Sequence, residues 1–198
     1  MLKTIISDCD GVILDWRNSF AAWMGSIGEH VADDSGDVRY DMTTLFPEIT
    51  SKQIFDRMVE FAGSVEFSRL PYYPGAIEGI LNLRQTFPEA RFVVLTAVGD
   101  AANAHELRAK NLERLGIDEL ILCPFGQSKR SWLDTMHGPA IFIEDHPDQA
   151  AAGRDAGHAT YLVEHVYNRD VQVPGVTRVS GWIDIARHAI DTFGRKAA

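Results

Sequence analysis

The stretch Ile5-Ile6-Ser7-Asp8-Cys9-Asp10-Gly11-Val12 decides how this chain reads. It is an apolar strand that ends in two carboxylates with one residue between them, followed by a glycine. Strand side chains alternate faces, so Asp8 and Asp10 can share one side at the strand's mouth. Carboxylates crowded there repel each other unless a cation or a shared proton relieves them. Gly11 permits the tight turn out of the strand. Such a pair suits a bound divalent metal with nucleophilic or acid/base chemistry. Taken alone it reads equally as a strand running into a polar turn.

The rest of the chain breaks that tie. From residue 74 onward, strand and helix patterns alternate. Pro74 fits a first helical position, with Ile77, Ile80, Leu81 and Arg84 continuing the period. Arg91 to Thr96 is a buried-type strand, followed by a helix from about Asp100 to Leu115 that Gly116 stops. A strand near Leu120-Ile121-Leu122-Cys123 leads to a helix over 130–136. The strand 140–144 precedes a helix from Pro147 to about Gly157, and Ala159 to Val163 is another strand. Ser180 can cap a last helix with Trp182, Ile185, Ala186, Ala189, Ile190 and Phe193 on one face. Repeated units of this kind predict a doubly wound parallel sheet with helices on both faces. Ligands then sit beyond the carboxyl ends of the strands.

Residues 16–73 break the rhythm. Helical patterns cover Arg17 to Glu29 and Lys52 to Gly63, the second with Ile54, Met58 and Phe61 on one face. A polar stretch, Ala32 to Tyr40, lies between them. Leu70-Pro71-Tyr72-Tyr73-Pro74-Gly75 reads as a stiff return to the core.

The 198 residues carry 45% hydrophobic and 24% charged side chains and a formal net charge of -9. This suits one globular core with a small insertion and disfavours a duplex nucleic acid or a membrane surface as partner. Cys9 and Cys123 stand in apolar strand contexts and read as buried, reduced thiols. Met1-Leu2-Lys3 enters the first strand with no extended apolar leader, which predicts a cytoplasmic protein. Oligomeric state is not legible.

Four short motifs, each closing a predicted strand, resemble those of the haloacid dehalogenase superfamily of aspartate-nucleophile phosphotransferases. They are Asp8-Cys9-Asp10-Gly11-Val12, Thr96 after Phe92-Val93-Val94-Leu95, Lys129 after the loop Pro124 to Ser128, and Glu144-Asp145 after Ala140-Ile141-Phe142-Ile143. The resemblance implies a core of residues 1–15 and 74–198 and a helical cap of residues 16–73. It implies Asp8 as nucleophile and Asp10 as general acid and base. It implies Mg²⁺ held by Asp8, the backbone carbonyl of Asp10 and Asp145, with Glu144 either a ligand or one layer behind. Thr96, the N–H of Ala97 and Lys129 would hold the phosphate. Arg130 is adjacent to Lys129, which is preferred because it follows Ser128. Asp148 either orients the metal's surroundings or caps a helix, and His146 should face the site.

Within the superfamily the chain is most similar to the 5'(3')-deoxyribonucleotidase group. The stretches 8–16, 67–76, 144–148, 167–169 and 178–182 carry that likeness. It implies a nucleoside monophosphate as the small-molecule substrate, with Phe20, Trp23 and Tyr72 as candidates for stacking on a base. That group commonly has an aspartate pair and an arginine where Glu144, Asp145 and His146 stand. A sugar- or metabolite-phosphate phosphatase would use the same catalytic set. A haloacid dehalogenase needs neither the metal nor the acid at Asp10, and a non-catalytic binding protein needs none of the motif carboxylates.

Overall fold

The computed structural model describes residues 1–32, 42–98 and 101–194. Six strands form one parallel sheet: β1 (Thr4–Ser7), β2 (Arg91–Ala97), β3 (Glu119–Cys123), β4 (Ala140–Glu144), β5 (Ala159–Val163) and β6 (Thr177–Val179). Their order across the sheet is β3-β2-β1-β4-β5-β6. β1 is therefore interior, with Ile5 registered against Phe92 on one side and Ile141 on the other. The chain winds one way from β1 to β3 and the other way from β4 to β6. The β1/β4 boundary is the point where this order reverses, and a crevice opens there.

Each face of the sheet buries its own apolar layer. Ile5, Phe92, Val94, Ile141 and Ile143 pack with α3 (Ala76–Thr86) and α7 (Trp182–Phe193). Ile6, Leu95 and Phe142 pack on the opposite face with Leu133 of α5 (Arg130–Leu133). Adjacent isoleucines of one strand thus serve opposite layers, as the two-residue period of a strand requires. α4 (Ala104–Leu112) and α6 (Pro147–Asp155) complete the crossovers.

Between β1 and β2 the chain forms α1 (Trp16–Ser26) and α2 (Ser51–Ala62). Asp15 caps α1 by accepting from the Asn18 N–H, and Thr50 and Gln53 cap α2 reciprocally. The two helices share an aromatic cluster. Phe20 stacks on Trp16 at 4.8 Å and meets Phe61 and Phe46 edge-on at 5.5 and 5.9 Å. The outgoing and returning chains run side by side: the Asp15 N–H donates to Pro71 O and the Tyr73 N–H to Ile13 O, both at 2.9 Å.

Some local expectations shift. α3 begins at Ala76, with Gly75 rather than Pro74 at its boundary. α4 begins at Ala104, and residue 100 and most of the polar stretch 32–40 lie outside the described residues. The helix expected over 130–136 ends at Leu133. Ser180 does not cap α7. Gly181 holds that position, and the Ser180 hydroxyl instead donates to Asp184. Strand β6 was not anticipated, because three residues with one buried side chain carry too little period to detect.

Candidate active site

The strand ends bring the motif residues together. Asp8 leaves β1 with its N–H on Ile143 O at 2.8 Å, which ties it to the neighbouring strand β4. Lys129 Nζ stands 2.7 Å from Asp8 Oδ1 and 2.7 Å from Glu144 Oε2. Arg130 instead turns outward to Asp134, so Lys129 and not Arg130 stands beside Asp8. Glu144 Oε1 accepts the N–H groups of Asp145 and His146 at 3.0 and 3.1 Å. Glu144 is thus engaged on both oxygens and organises Lys129 and the start of α6.

Asp145 is 3% exposed and receives the Tyr167 hydroxyl on Oδ2, while its Oδ1 has no hydrogen-bond partner among the described residues. Asn168 Nδ2 anchors the Asp145 carbonyl at 2.7 Å. Gly11 has φ +79°, and a Cβ there would collide with the Asp145 carboxylate. The tight turn after β1 therefore needs glycine both for its backbone and for this close approach.

Burial dominates the electrostatics. It pushes the Asp8 carboxyl up to about 7, against the pull of Lys129 and with Glu144 and Asp10 adding to the rise. It raises Asp145 well above the usual carboxylate range, helped by Glu144 and Asp8. Burial also opposes charge on Lys129 and Glu144, but the ion pairs outweigh it: the lysine moves up and the glutamate down. Lys129 thus balances Glu144, and ionising Asp8 and Asp145 as well calls for positive charge beyond one ammonium. Asp8, Glu144 and Asp145 each offer an oxygen, and these lie within 4.8 Å of one another. A hard cation fits this all-oxygen set, and the buried Asp145 Oδ1 lacks the partner such an ion would supply.

Thr96, next to the last residue of β2, has its hydroxyl buried and without a hydrogen-bond partner among the described residues. Asp10 pairs with Arg108 of α4, Oδ2 to Nη2 at 2.6 Å. Thr96 and Asp10 line a cavity of about 750 Å³ together with Asp8, Lys129, Asp145, Ala97, His146 and Asp148. His146 also caps α6, its Nδ1 accepting the Asp148 N–H at 3.2 Å, and Asp148 is exposed.

The aromatic expectations are corrected. Phe20 is 0% exposed and Trp23 is 9% exposed, both inside the aromatic cluster, so neither offers a face to a base. Tyr72 lines a different groove with Tyr73 and Leu81, and its hydroxyl donates to Asn111 O. The aromatic walls of the Asp8 cavity are Trp16, Phe125 and Tyr167. Arg108 was missed as well. Its signal was a charge at a core position of α4, four residues from buried Ala104 and four from buried Leu112.

No protein-family model matches the chain, and no curated protein matches it. Solved structures do. A haloacid dehalogenase-like hydrolase from Streptococcus pneumoniae superposes with TM-score 0.65 at 16% identity, over 94% of this chain and 98% of that one. A HAD family hydrolase from Deinococcus radiodurans R1, solved with bound phosphate and sodium, gives TM-score 0.58 at 15% identity over 96% of both chains. L-2-haloacid dehalogenase from Xanthobacter autotrophicus, with chloropropionic acid covalently bound, gives 0.57 at 12% identity over 100% of both. At these identities the likeness shows the fold, which is the haloacid dehalogenase-like α/β fold.

Proposed function

We propose that this chain is a Mg²⁺-dependent phosphomonoester hydrolase that works through an aspartyl-phosphate on Asp8. The carrying observation is the cluster in which Lys129 bridges Asp8 and Glu144 while Asp145 keeps an unpartnered oxygen beside them. Asp8 Oδ attacks phosphorus, the ester P–O bond breaks, and Asp10 gives its proton to the departing oxygen. Water then attacks phosphorus, Asp10 takes its proton, the bond from phosphorus to Asp8 Oδ breaks, and inorganic phosphate leaves with Asp8 regenerated. Lys129 and the Thr96 hydroxyl hold phosphate oxygens as charge builds on them.

Asp8, Asp145 and the Asp10 carbonyl would hold Mg²⁺, with Glu144 one layer behind. Bound there, the ion would offset the repulsion between Asp8 and a dianionic phosphate. The phosphate and sodium bound to the Deinococcus neighbour accord with an anion and a cation sharing such a site. Carbon–halogen displacement needs neither this oxygen cluster nor an acid at Asp10.

Residues 16–73 would serve as a cap over the site, a reading supported by Trp16, Arg17, Met42 and Met58, which line the cavity together with the strand-end residues. The cavity's volume and its walls of Trp16, Phe125 and Tyr167 favour a nucleoside monophosphate. The reading makes a soluble, cytoplasmic enzyme of the chain; among the described residues no helix is long and apolar enough to cross a membrane. The test is phosphate release from nucleoside monophosphates and sugar phosphates, with Mg²⁺ and with EDTA, by wild type and Asp8→Asn. Turnover should need both Mg²⁺ and Asp8. Full activity in EDTA or in Asp8→Asn sinks the mechanism. Sugar phosphates outrunning every nucleotide sink the nucleotidase reading alone.

A further inference from the structure

We propose that Arg108 is a positioning residue that fixes the carboxylate of Asp10 for proton transfer; this rests on the phosphatase reading above. Arg108 lies on α4, 98 positions along the chain from Asp10, and is 0% exposed. Its Nη2 donates to Asp10 Oδ2 at 2.6 Å and its Nη1 to Cys9 Sγ at 3.2 Å. Its guanidinium carbon lies 4.4 Å from the centre of the Phe67 ring. The planar fork is held on one flank by the ring and at its tip by two successive residues of the catalytic turn.

The other oxygen, Asp10 Oδ1, is buried and has no hydrogen-bond partner among the described residues, while the Asp10 side chain is 22% exposed and lines the cavity. One carboxylate oxygen is therefore tethered at the cavity wall, and the other has no partner of its own to turn the carboxylate elsewhere. A buried ion pair gains little net stability over an apolar pair of the same size. What Arg108 supplies is geometry: it stops Asp10 rotating towards Lys129 and the acidic cluster.

The test compares kcat/KM, which reports formation of the phospho-enzyme, on two probes. Glycerol 2-phosphate expels an alkoxide that needs the acid's proton. 4-Nitrophenyl phosphate expels a stable phenolate that hardly does. Arg108→Met should lose about 100-fold on the alkyl ester and less than about fivefold on the aryl ester, the pattern of a lost general acid. Asp10→Asn should show the same bias, and adding Arg108→Met to it should cost less than about threefold more, since both act through one group.

Equal loss on both esters, full additivity in the double variant, or a gain in rate overturns the proposal. Circular dichroism checks folding. If Arg108→Met does not fold, Arg108→Lys decides. Its point charge cannot hold Cys9 and Asp10 together, so a bias against the alkyl ester of about 3–10-fold is expected, and no bias overturns the proposal. Wild type inactive on both esters refutes the phosphatase reading itself. Asp10→Asn without the bias refutes only the acid/base role on which Arg108 depends.

Discussion

Replacing Lys129 with Met takes away the ammonium that lies 2.7 Å from both Asp8 and Glu144 and leaves a side chain of similar length. Removing one partner of a buried pair costs about 3–5 kcal/mol. A second route gives the same size. Glu144, ordinarily 4.5, is held lower by Lys129 against the opposing effect of burial. Without Lys129 it must take up a proton, which at pH 7 costs about 3–4 kcal/mol at about 1.4 kcal/mol per pH unit. The expected loss is therefore about 3–5 kcal/mol in EDTA, or roughly 6–20 °C in Tm for a chain of this size. The sign with pH follows. Once raised, the carboxyl makes the folded variant bind more protons than its unfolded chain, so the deficit shrinks as pH falls from 8 towards 5. Urea unfolding of both proteins in EDTA across that range measures it. A variant within about 1 kcal/mol of wild type at pH 7, below the range for a broken buried pair, or a deficit independent of pH, refutes the reasoning.

Gly11→Ala should destabilise the protein by about 1–3 kcal/mol through left-handed strain and abolish the rise in Tm on adding Mg²⁺, because its Cβ displaces Asp145. An unchanged Mg²⁺ response in thermal melts would count against Asp145 as a ligand. Phe20→Ala should cost about 3–5 kcal/mol and depress turnover of every ester alike. Trp16→Ala should raise KM for nucleoside monophosphates, by an amount matching about 1–3 kcal/mol of stacking, and spare a small ester. Steady-state kinetics on both ester sizes separates the two variants, and the reverse pattern would return Phe20 to the substrate. Burial holds the His165 imidazole below its ordinary 6.5, despite its contact with the Gly11 carbonyl. Its folded state binds fewer protons, so stability should fall as pH drops below about 6.5. Denaturation at pH 7 and pH 5 should show a smaller fall for His165→Gln than for wild type.

Local pattern carried the alternation of strands and helices and the parallel sheet, and the resemblance of four short motifs singled out Asp8, Asp10, Thr96, Lys129 and Asp145 at its strand ends. A strand's two-residue period and a helix's 3.6 are visible in a short window, and parallel strands place all their carboxyl ends on one rim. What local pattern discriminated poorly was near-equal neighbours, wrongly for Phe20 and only by a neighbouring serine for Lys129. Trp16 and Phe20 are one helical turn apart on the same face of α1. Packing by Phe46 and Phe61 encloses Phe20 and leaves Trp16 half-buried at the cavity. Lys129 and Arg130 are neighbours, and the turn into α5 aims one at Asp8 and the other at Asp134. Tyr167 reaches Asp145 from 22 residues away, and Arg108 reaches Asp10 from 98. Such pairings arise because folding lays distant segments against a common rim, where burial makes each charge find a partner. The sequence by itself determined which chemistry could assemble, and the tertiary structure decided which side chains face it.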